Sequence, residues 1–244
     1  LSDNAVAQGM ELLRFFQISS IKAFSIYRDT TMAQARSSSA FSTDATLAIT
    51  YINMGLHQSR KISAEPYDET RFKQVLHQVR ALTQELPENF CVVLQELFAS
   101  AGVALVFVPP FPGVHFSGVS KWISPSRAMI IMNIRGKMED KFWFSLFHEA
   151  AHILLHSKKR IFITDNTPED PEEKEADSYA ADFLIPSQFN ERIQTATSAA
   201  QIRAIANELG ISQGIVAGRY QHLTQRWHQF RSLITRLEWV DDAD

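Results

Sequence analysis

The sequence predicts an α+β fold, in which a block of short strands is flanked by helical segments. Three observations predict it. Apolar residues recur at helical spacing in the first hundred positions, the pattern changes to short strand-like segments after Gly102, and the apolar segment 142–156 returns to a helical pattern. Because the strands precede this long helix in one block, the middle of the chain is expected to be α+β.

The N-terminal part is expected to be helical. Residues 5–28 have a continuous helical pattern of apolar side chains, and a serine-rich break follows at 37–42. Further helices are predicted at 44–57, about 68–84 and 88–101.

Strands are predicted at 102–110 and 128–134, and the segment 113–124 between them has turn glycines and alternating apolar residues. The long helix is expected to begin near Asp140, whose side chain suits an N-cap. An acidic loop follows, and then a helix over 171–184 that Pro186 ends. The tail from 188 to 238 has a helical pattern. Within it, 204–220 resembles a helix-turn-helix, but its second helix is poor in basic side chains, so we expect it to pack on the core rather than to bind DNA.

The composition is that of a globular protein and argues against several functional classes. The chain has 244 residues, is 45% hydrophobic and 21% charged, and has a formal net charge of -3, so no overall basic field favours nucleic acid. A single cysteine excludes an intrachain disulfide and a cysteine-rich zinc site, which fits a cytoplasmic protein. No apolar stretch has the length of a membrane span. The first residues show neither an initiator Met nor a signal-peptide pattern, so we expect a fragment of a longer protein.

His148 and His152 are four residues apart in the apolar segment. On a helix this spacing places both imidazoles on one face, one turn apart, where they can bind one zinc ion. Glu149 completes the pattern H-E-x-x-H, in which the glutamate is not a ligand but activates water. The alternative is a pair of core histidines bonded to backbone and carboxylate groups, and the apolar helix that follows strands favours the metal interpretation.

A zinc site needs a third protein ligand, and the predicted helix over 171–184 offers one. Helical phase favours Glu173, which shares the apolar face with Ala176, whereas Glu175 lies on a more polar face and is the alternative ligand. Asp177 is placed to hydrogen-bond a ligand histidine from outside the coordination sphere. Glu173 would instead serve the helix start if it belonged to a capping box.

His156 is the weaker candidate for a ligand. It continues the four-residue series, but each such step overshoots a full helical turn, so its ring drifts off the shared face. We expect it to cap the C-terminus of the helix rather than to bind the ion.

Two stretches together resemble the ImmA/IrrE family of zinc metallopeptidases. They are FWFSLFHEAAHILLHSKK, which begins at Phe142, and EEKEADSYAADFLIP, which begins at Glu172. The stretches GVSKWISPSRAMIIMNIRGK and ELGISQGIVAGRYQH resemble one branch of this family, in which the peptidase-like domain follows an N-terminal helix-turn-helix domain of the XRE repressor type. The resemblance spans about 72–222.

The resemblance implies a zincin-like fold with additional helical segments. The implied divisions are a helical N-terminal segment at 1–66, a metallopeptidase domain at 67–190 and a helical C-terminal region at 191–244. The implied zinc ligands are His148, His152 and Glu173, with Glu149 as catalytic acid/base. The implied activity is cleavage of a regulatory protein, often an XRE-type repressor, in stress response, mobile-element control or phage defence. DNA would be contacted only through a missing N-terminal domain.

Other expectations concern substrate and assembly. The predicted strand at 128–134 is expected to pair with an extended substrate, and Tyr179 and His115 are candidates for stabilising the oxyanion. A homodimer is compatible with the sequence, and no membrane contact is expected. Two further hypotheses stay open: a non-catalytic sensory or dimerising domain of a transcriptional regulator or antitoxin that keeps a metal site, and a helical scaffold without metal.

Overall fold

A four-stranded mixed sheet with helices packed on it confirms the predicted α+β class. The computed structural model describes residues 4–35, 44–84, 90–134, 137–164 and 170–239. The strands are β1 (Val103–Phe107), β2 (Gly118–Ser124), β3 (Arg127–Met132) and β4 (Ile161–Thr164). The helices are α1 (Ala5–Phe16), α2 (Ile21–Ala35), α3 (Ala45–Ser59), α4 (Glu69–Leu82), α5 (Phe90–Ala99), α6 (Glu139–Leu155), α7 (Pro171–Leu184), α8 (Asn190–Gln194), α9 (Ala199–Leu209) and α10 (Gln213–Thr224). None of the helices in these ranges is both long and apolar enough to cross a membrane.

The sheet has the strand order β1-β3-β2-β4. β1 runs parallel to β3, whereas β2 runs antiparallel to both β3 and β4. β3 therefore has a partner on each side, so the prediction that residues 128–134 pair with a substrate strand is wrong. β4 is not predicted from the sequence, because pairing with β2, rather than a local pattern, holds so short a segment in the sheet.

The two faces of the sheet pack on different helices. Ile130 of β3 belongs to the core cluster that contains Trp143 of α6. Its neighbour Ile131 points to the opposite face and belongs to the cluster that contains Tyr51 and Ile52 of α3. The sheet is therefore a middle layer, and α6 lies across one of its faces.

α6 begins two residues earlier than an N-cap at Asp140 would place it. Its N-cap position is Met138, which makes no side-chain cap, so the prediction of Asp140 as the N-cap is wrong. Tertiary contacts take the place of a local cap, because the backbone N–H of Glu139 donates to the carbonyl of Thr235 (3.0 Å). The carboxylate of Glu139 also accepts hydrogen bonds from Ser212 Oγ (2.9 Å) and from the backbone N–H of Thr235 (2.8 Å). These partners lie far along the chain, so the sequence around Glu139 does not predict the contacts.

The helical pattern over 5–28 forms two helices rather than one. α1 is followed by Gln17, whose backbone is left-handed (φ 55°) and ends the helix. Phe16 at the end of α1 then packs against Phe24 of α2, with ring centroids 4.8 Å apart. The apolar spacing continues across this turn, and periodicity alone therefore does not reveal it.

The C-terminal tail is helical only as far as Thr224. α10 packs on α6, as expected for the segment 204–220. Residues 225–239, the described part of the chain after α10, form an irregular segment with one 3-10 turn over Arg231–Leu233, so the prediction of helix up to 238 is wrong for this part. The segment is anchored by tertiary contacts, including a β-bridge to the residue before α6.

Candidate metal centre

α6 and α7 bring two histidines and a glutamate together. His148 and His152 lie one turn apart on α6, and Glu173 lies in the first turn of α7. The Nε2 atoms of the two histidines are 2.9 Å apart. Glu173 places Oε2 3.1 Å from Nε2 of His148 and Oε1 3.3 Å from Nε2 of His152. These three residues, whose candidate ligand atoms all lie within 4.8 Å of one another, are called the ligand group below.

α7 begins where the sequence predicts, and this start directs Glu173 towards α6. The side chain of Asp170 caps the helix by accepting a hydrogen bond from the backbone N–H of Glu172, and Pro171 occupies the first helical position. In this register the carboxylate of Glu173 faces the two histidines instead of the helix start.

The ligand group fits a divalent metal ion. Its side chains are buried, with exposed fractions of 1% for His148, 1% for His152 and 8% for Glu173. Neighbouring ligand atoms around a tetrahedral ion with bonds of about 2.0–2.1 Å lie roughly 3.3 Å apart, close to the separations observed. Oε1 of Glu173 has no hydrogen bond among the described residues. Burying a carboxylate and two imidazole nitrogens this close together costs free energy of folding unless a cation or a shared proton lies among them.

Close contacts within the ligand group shift the pKa values of its members. Burial raises the pKa of Glu173, but its close contacts with the imidazoles of His148 and His152 outweigh burial and lower the pKa to about 2. Burial lowers the pKa of His148, but hydrogen bonds to Asp177 and Glu173 outweigh burial and raise the pKa to about 10. Burial lowers the pKa of His152 to about 4. Near neutral pH the proton therefore resides on His148, beside the ionised Glu173.

Glu149 is fully buried next to His148 and is held at one oxygen only. Oε1 accepts a hydrogen bond from Oγ1 of Thr164 (2.6 Å), whereas Oε2 makes no hydrogen bond of good geometry among the described residues. The hydroxyl of Ser120 also acts to lower the pKa of this carboxylate. Burial raises the pKa of Glu149 to about 7, although the charge of His148 and the hydrogen bond from Thr164 act to lower it. The side chain is therefore placed to take up and release a proton at Oε2 near neutral pH.

Two residues of the sheet position the carboxylate of Glu149, and neither is predicted from the sequence. Thr164 of β4 donates to its carboxylate, and Gly118 of β2 leaves the space that the carboxylate fills, since a Cβ there would lie 2.5 Å from Oε1. The two residues are paired with each other across the strands. Only the pairing of β2 with β4 brings them to Glu149, and their local sequence carries no signal for it.

Each histidine of the ligand group has a partner on its other ring nitrogen. Nδ1 of His148 lies 2.8 Å from Oδ1 of Asp177. Nδ1 of His152 lies 2.8 Å from Nδ1 of His156, whose Nε2 lies 3.3 Å from Oε2 of Glu175. His156 occupies the C-cap position of α6, but its ring turns back towards His152. Glu175 therefore contacts this outer ring and lies outside the ligand group.

The two oxyanion candidates lie in different parts of the structure. Tyr179 stacks on Phe183 with ring centroids 5.6 Å apart, in a shallow groove between α7 and the end of α6. His115 is exposed in the loop that leads into β2. The identity of the group that stabilises an oxyanion stays a prediction.

One segment of the chain matches a known family. Residues 103–221 match the family model described as Peptidase_M78, IrrE N-terminal-like domain. This segment begins with β1 and ends within α10, so it contains the ligand group and Glu149, and its architecture is that of a small zincin-like domain. No curated protein matches the chain. Residues 103–221 are therefore similar to the IrrE N-terminal-like peptidases, and this similarity and the ligand group together support a metallopeptidase-like function.

Proposed function

We propose that the protein is a zinc-dependent endopeptidase. The observation that carries the proposal is the convergence of His148, His152 and Glu173 beside the buried carboxylate of Glu149. Two imidazole nitrogens and one carboxylate are a donor set that suits Zn²⁺, and three protein ligands leave the fourth position of a tetrahedral ion for water or substrate. Bound there, zinc would supply Lewis-acid activation of water and of a peptide carbonyl.

Glu149 moves the proton in this mechanism. Its Oε1 is fixed by Thr164, and its Oε2 is left to accept a proton from the attacking water. The same oxygen then returns the proton to the leaving amine. Burial raises the pKa of Glu149, and this favours its holding the proton between the two steps.

The proposed substrate is a segment of a regulatory protein, such as an XRE-type repressor. The resemblance to the ImmA/IrrE family supports this substrate class, and contact with DNA would require a further N-terminal domain. An extended segment would add to β4 rather than to β3, because β3 is paired on both sides. β4 is an edge strand whose Phe162 stacks on His152, with ring centroids 4.0 Å apart, so a peptide paired with β4 would pass near the ligand group.

Replacing Glu149 by Gln tests the proposal. The amide retains the shape of the side chain but cannot accept the proton, so we expect the variant to bind zinc as the parent does and to lose proteolysis. The substrates would be peptides from a digested proteome, with new N-termini identified by mass spectrometry. Glu191→Gln, which removes an exposed carboxylate on α8, is the matched control. Cleavage by Glu149→Gln at the rate of the parent would rule out the mechanism.

One observation favours a second candidate function, a sensory or dimerising module that keeps the metal for structure or signal. The ligand group and Glu149 are all buried, with exposed fractions between 0% and 8%, and a peptide must reach them before it can be cut. A parent protein that binds zinc but cleaves no peptide, together with full gene control by Glu149→Gln in cells, would favour this module over the peptidase.

A further inference from the structure

We propose that His156 and Glu175 form a hydrogen-bonded relay that orients His152 and strengthens it as a metal ligand. They would act as positioning residues, since neither belongs to the ligand group. The inference rests on the proposed function only in requiring that the ligand group binds an ion.

The relay is a continuous line of contacts from the ligand group to the protein surface. Nδ1 of His152 lies 2.8 Å from Nδ1 of His156, and Nε2 of His156 lies 3.3 Å from Oε2 of Glu175. The side chain of His156 is 3% exposed, whereas that of Glu175 is 62% exposed. A buried imidazole thus connects the candidate ligand to a carboxylate in water.

The direction of each hydrogen bond follows from the requirement that Nε2 of His152 be free to bind a metal ion. Its Nε2 must keep a free lone pair to bind an ion, so its proton resides on Nδ1 and is donated to Nδ1 of His156. His156 then carries its own proton on Nε2 and donates it to the carboxylate of Glu175. Both rings are neutral, and each tautomer fixes the next.

This arrangement parallels the support that the other histidine receives. His148 contacts the carboxylate of Asp177 directly, at 2.8 Å. His152 has no carboxylate at its own Nδ1 among the described contacts, and reaches Glu175 through a second imidazole instead. A carboxylate that polarises an imidazole raises the basicity of the ligand nitrogen and holds the ring in the orientation that binding needs.

Phe162 of β4 holds the two rings of the relay in place. It stacks on His152 with ring centroids 4.0 Å apart and planes inclined by 14°, and lies 5.2 Å from the ring of His156. This contact restrains the imidazoles sideways, while the hydrogen bonds fix their rotation. Capping of α6 alone would explain the position of His156 but not the contact of its ring with His152.

Zinc affinity, measured by competition with a chromophoric chelator, tests the relay without any need for a substrate. We expect His156→Phe, which keeps a planar ring but accepts no hydrogen bond, to weaken zinc binding by about 10- to 100-fold. His156→Asn retains an acceptor near the position of Nδ1 and should recover most of this loss. Glu175→Gln, at an exposed position, should weaken binding by at least about threefold without a change in folding. Glu191→Gln is the matched control for loss of a surface charge and should bind as the parent does.

A spectroscopic measurement separates the relay from a merely structural role. In the zinc-bound parent, ¹⁵N NMR should show His152 protonated at Nδ1 and His156 protonated at Nε2. Parental affinity in both His156→Phe and Glu175→Gln, or His156 protonated at Nδ1, would overturn the relay. A parent that binds zinc with these tautomers but cleaves nothing would contradict the proposed peptidase and leave the relay supported.

Discussion

The lack of a side chain at Gly118 makes room for Glu149, and an added methyl group there would displace the proposed catalytic carboxylate. A Cβ at this position would lie 2.5 Å from Oε1, 2.7 Å from Cγ and 2.8 Å from Cδ of Glu149, whereas ordinary van der Waals contact begins at 3.4 Å. The carboxylate must therefore move by nearly 1 Å. Since a misplacement of about 1 Å in a catalytic site can cost roughly 100-fold in rate, we expect Gly118→Ala to lower kcat/KM by about that factor.

The assay compares kcat/KM on a fluorogenic peptide, whose sequence is taken from a site that the parent cleaves, with the zinc content of each variant. Gly118→Ala leaves the ligand group untouched, so zinc content should equal that of the parent. Overpacking should also lower the free energy of unfolding by about 1–3 kcal/mol. Gly9→Ala is the matched control, because a Cβ at Gly9 meets nothing within 4 Å.

Parental kcat/KM in Gly118→Ala, in a protein shown to carry zinc, would contradict this prediction, because it would mean that the position of Glu149 does not limit the reaction. Loss of zinc together with activity would refute it differently, by showing that the methyl group disturbs the ligands and not the carboxylate alone.

Three further predictions concern the positioning of Glu149, the pH dependence of metal binding and the packing of α7. Thr164→Val removes the donor to Glu149 and should lower kcat/KM about tenfold, whereas Thr164→Ser, which keeps the hydroxyl group, should retain most of it. The pKa of His148 is raised to about 10 before an ion binds, so an incoming ion must displace a proton from its ring. The apparent affinity for Zn²⁺ should therefore rise about tenfold per pH unit between about pH 6 and 8. An affinity that does not change with pH in chelator competition would contradict this prediction. Arg80 donates hydrogen bonds to backbone carbonyls at the ends of α7 and α9. Arg80→Met should therefore lower the free energy of unfolding by about 2 kcal/mol in urea titrations. The control Arg71→Met, at an exposed position, should leave the free energy of unfolding unchanged.

Local patterns predict the helices that carry the ligand group. The spacing of His148 and His152 requires only that their segment be helical, and the apolar run around them makes it so. α7 is bounded by local signals, the Asp170 cap with Pro171 at its start and Pro186 after its end, and these bounds fix the phase that turns Glu173 inward. Residues on two such helices can be related from sequence because each helix has a known period.

The parts that depend on pairing between distant segments could not be predicted in the same way. β4 has only four residues and is held in the sheet by β2. The hydrogen bond from Thr164 to Glu149 therefore cannot be predicted from a local sequence pattern. The start of α6 is set by contacts of Glu139 with Ser212 and Thr235, which lie far along the chain. Helix geometry predicts that His156 lies off the face that carries the two ligand histidines. It does not predict that the ring of His156 turns back towards His152.

The central claim is that three side chains from α6 and α7 hold one metal ion. Its most direct test is the metal content of the purified chain after exposure to zinc and gel filtration, measured by mass spectrometry beside His152→Ala. We expect one zinc per parent chain, bound through two imidazole nitrogens and a carboxylate in X-ray absorption, and almost none in the variant. A parent chain without zinc, or a variant that retains it in full, would show that these side chains do not hold the ion.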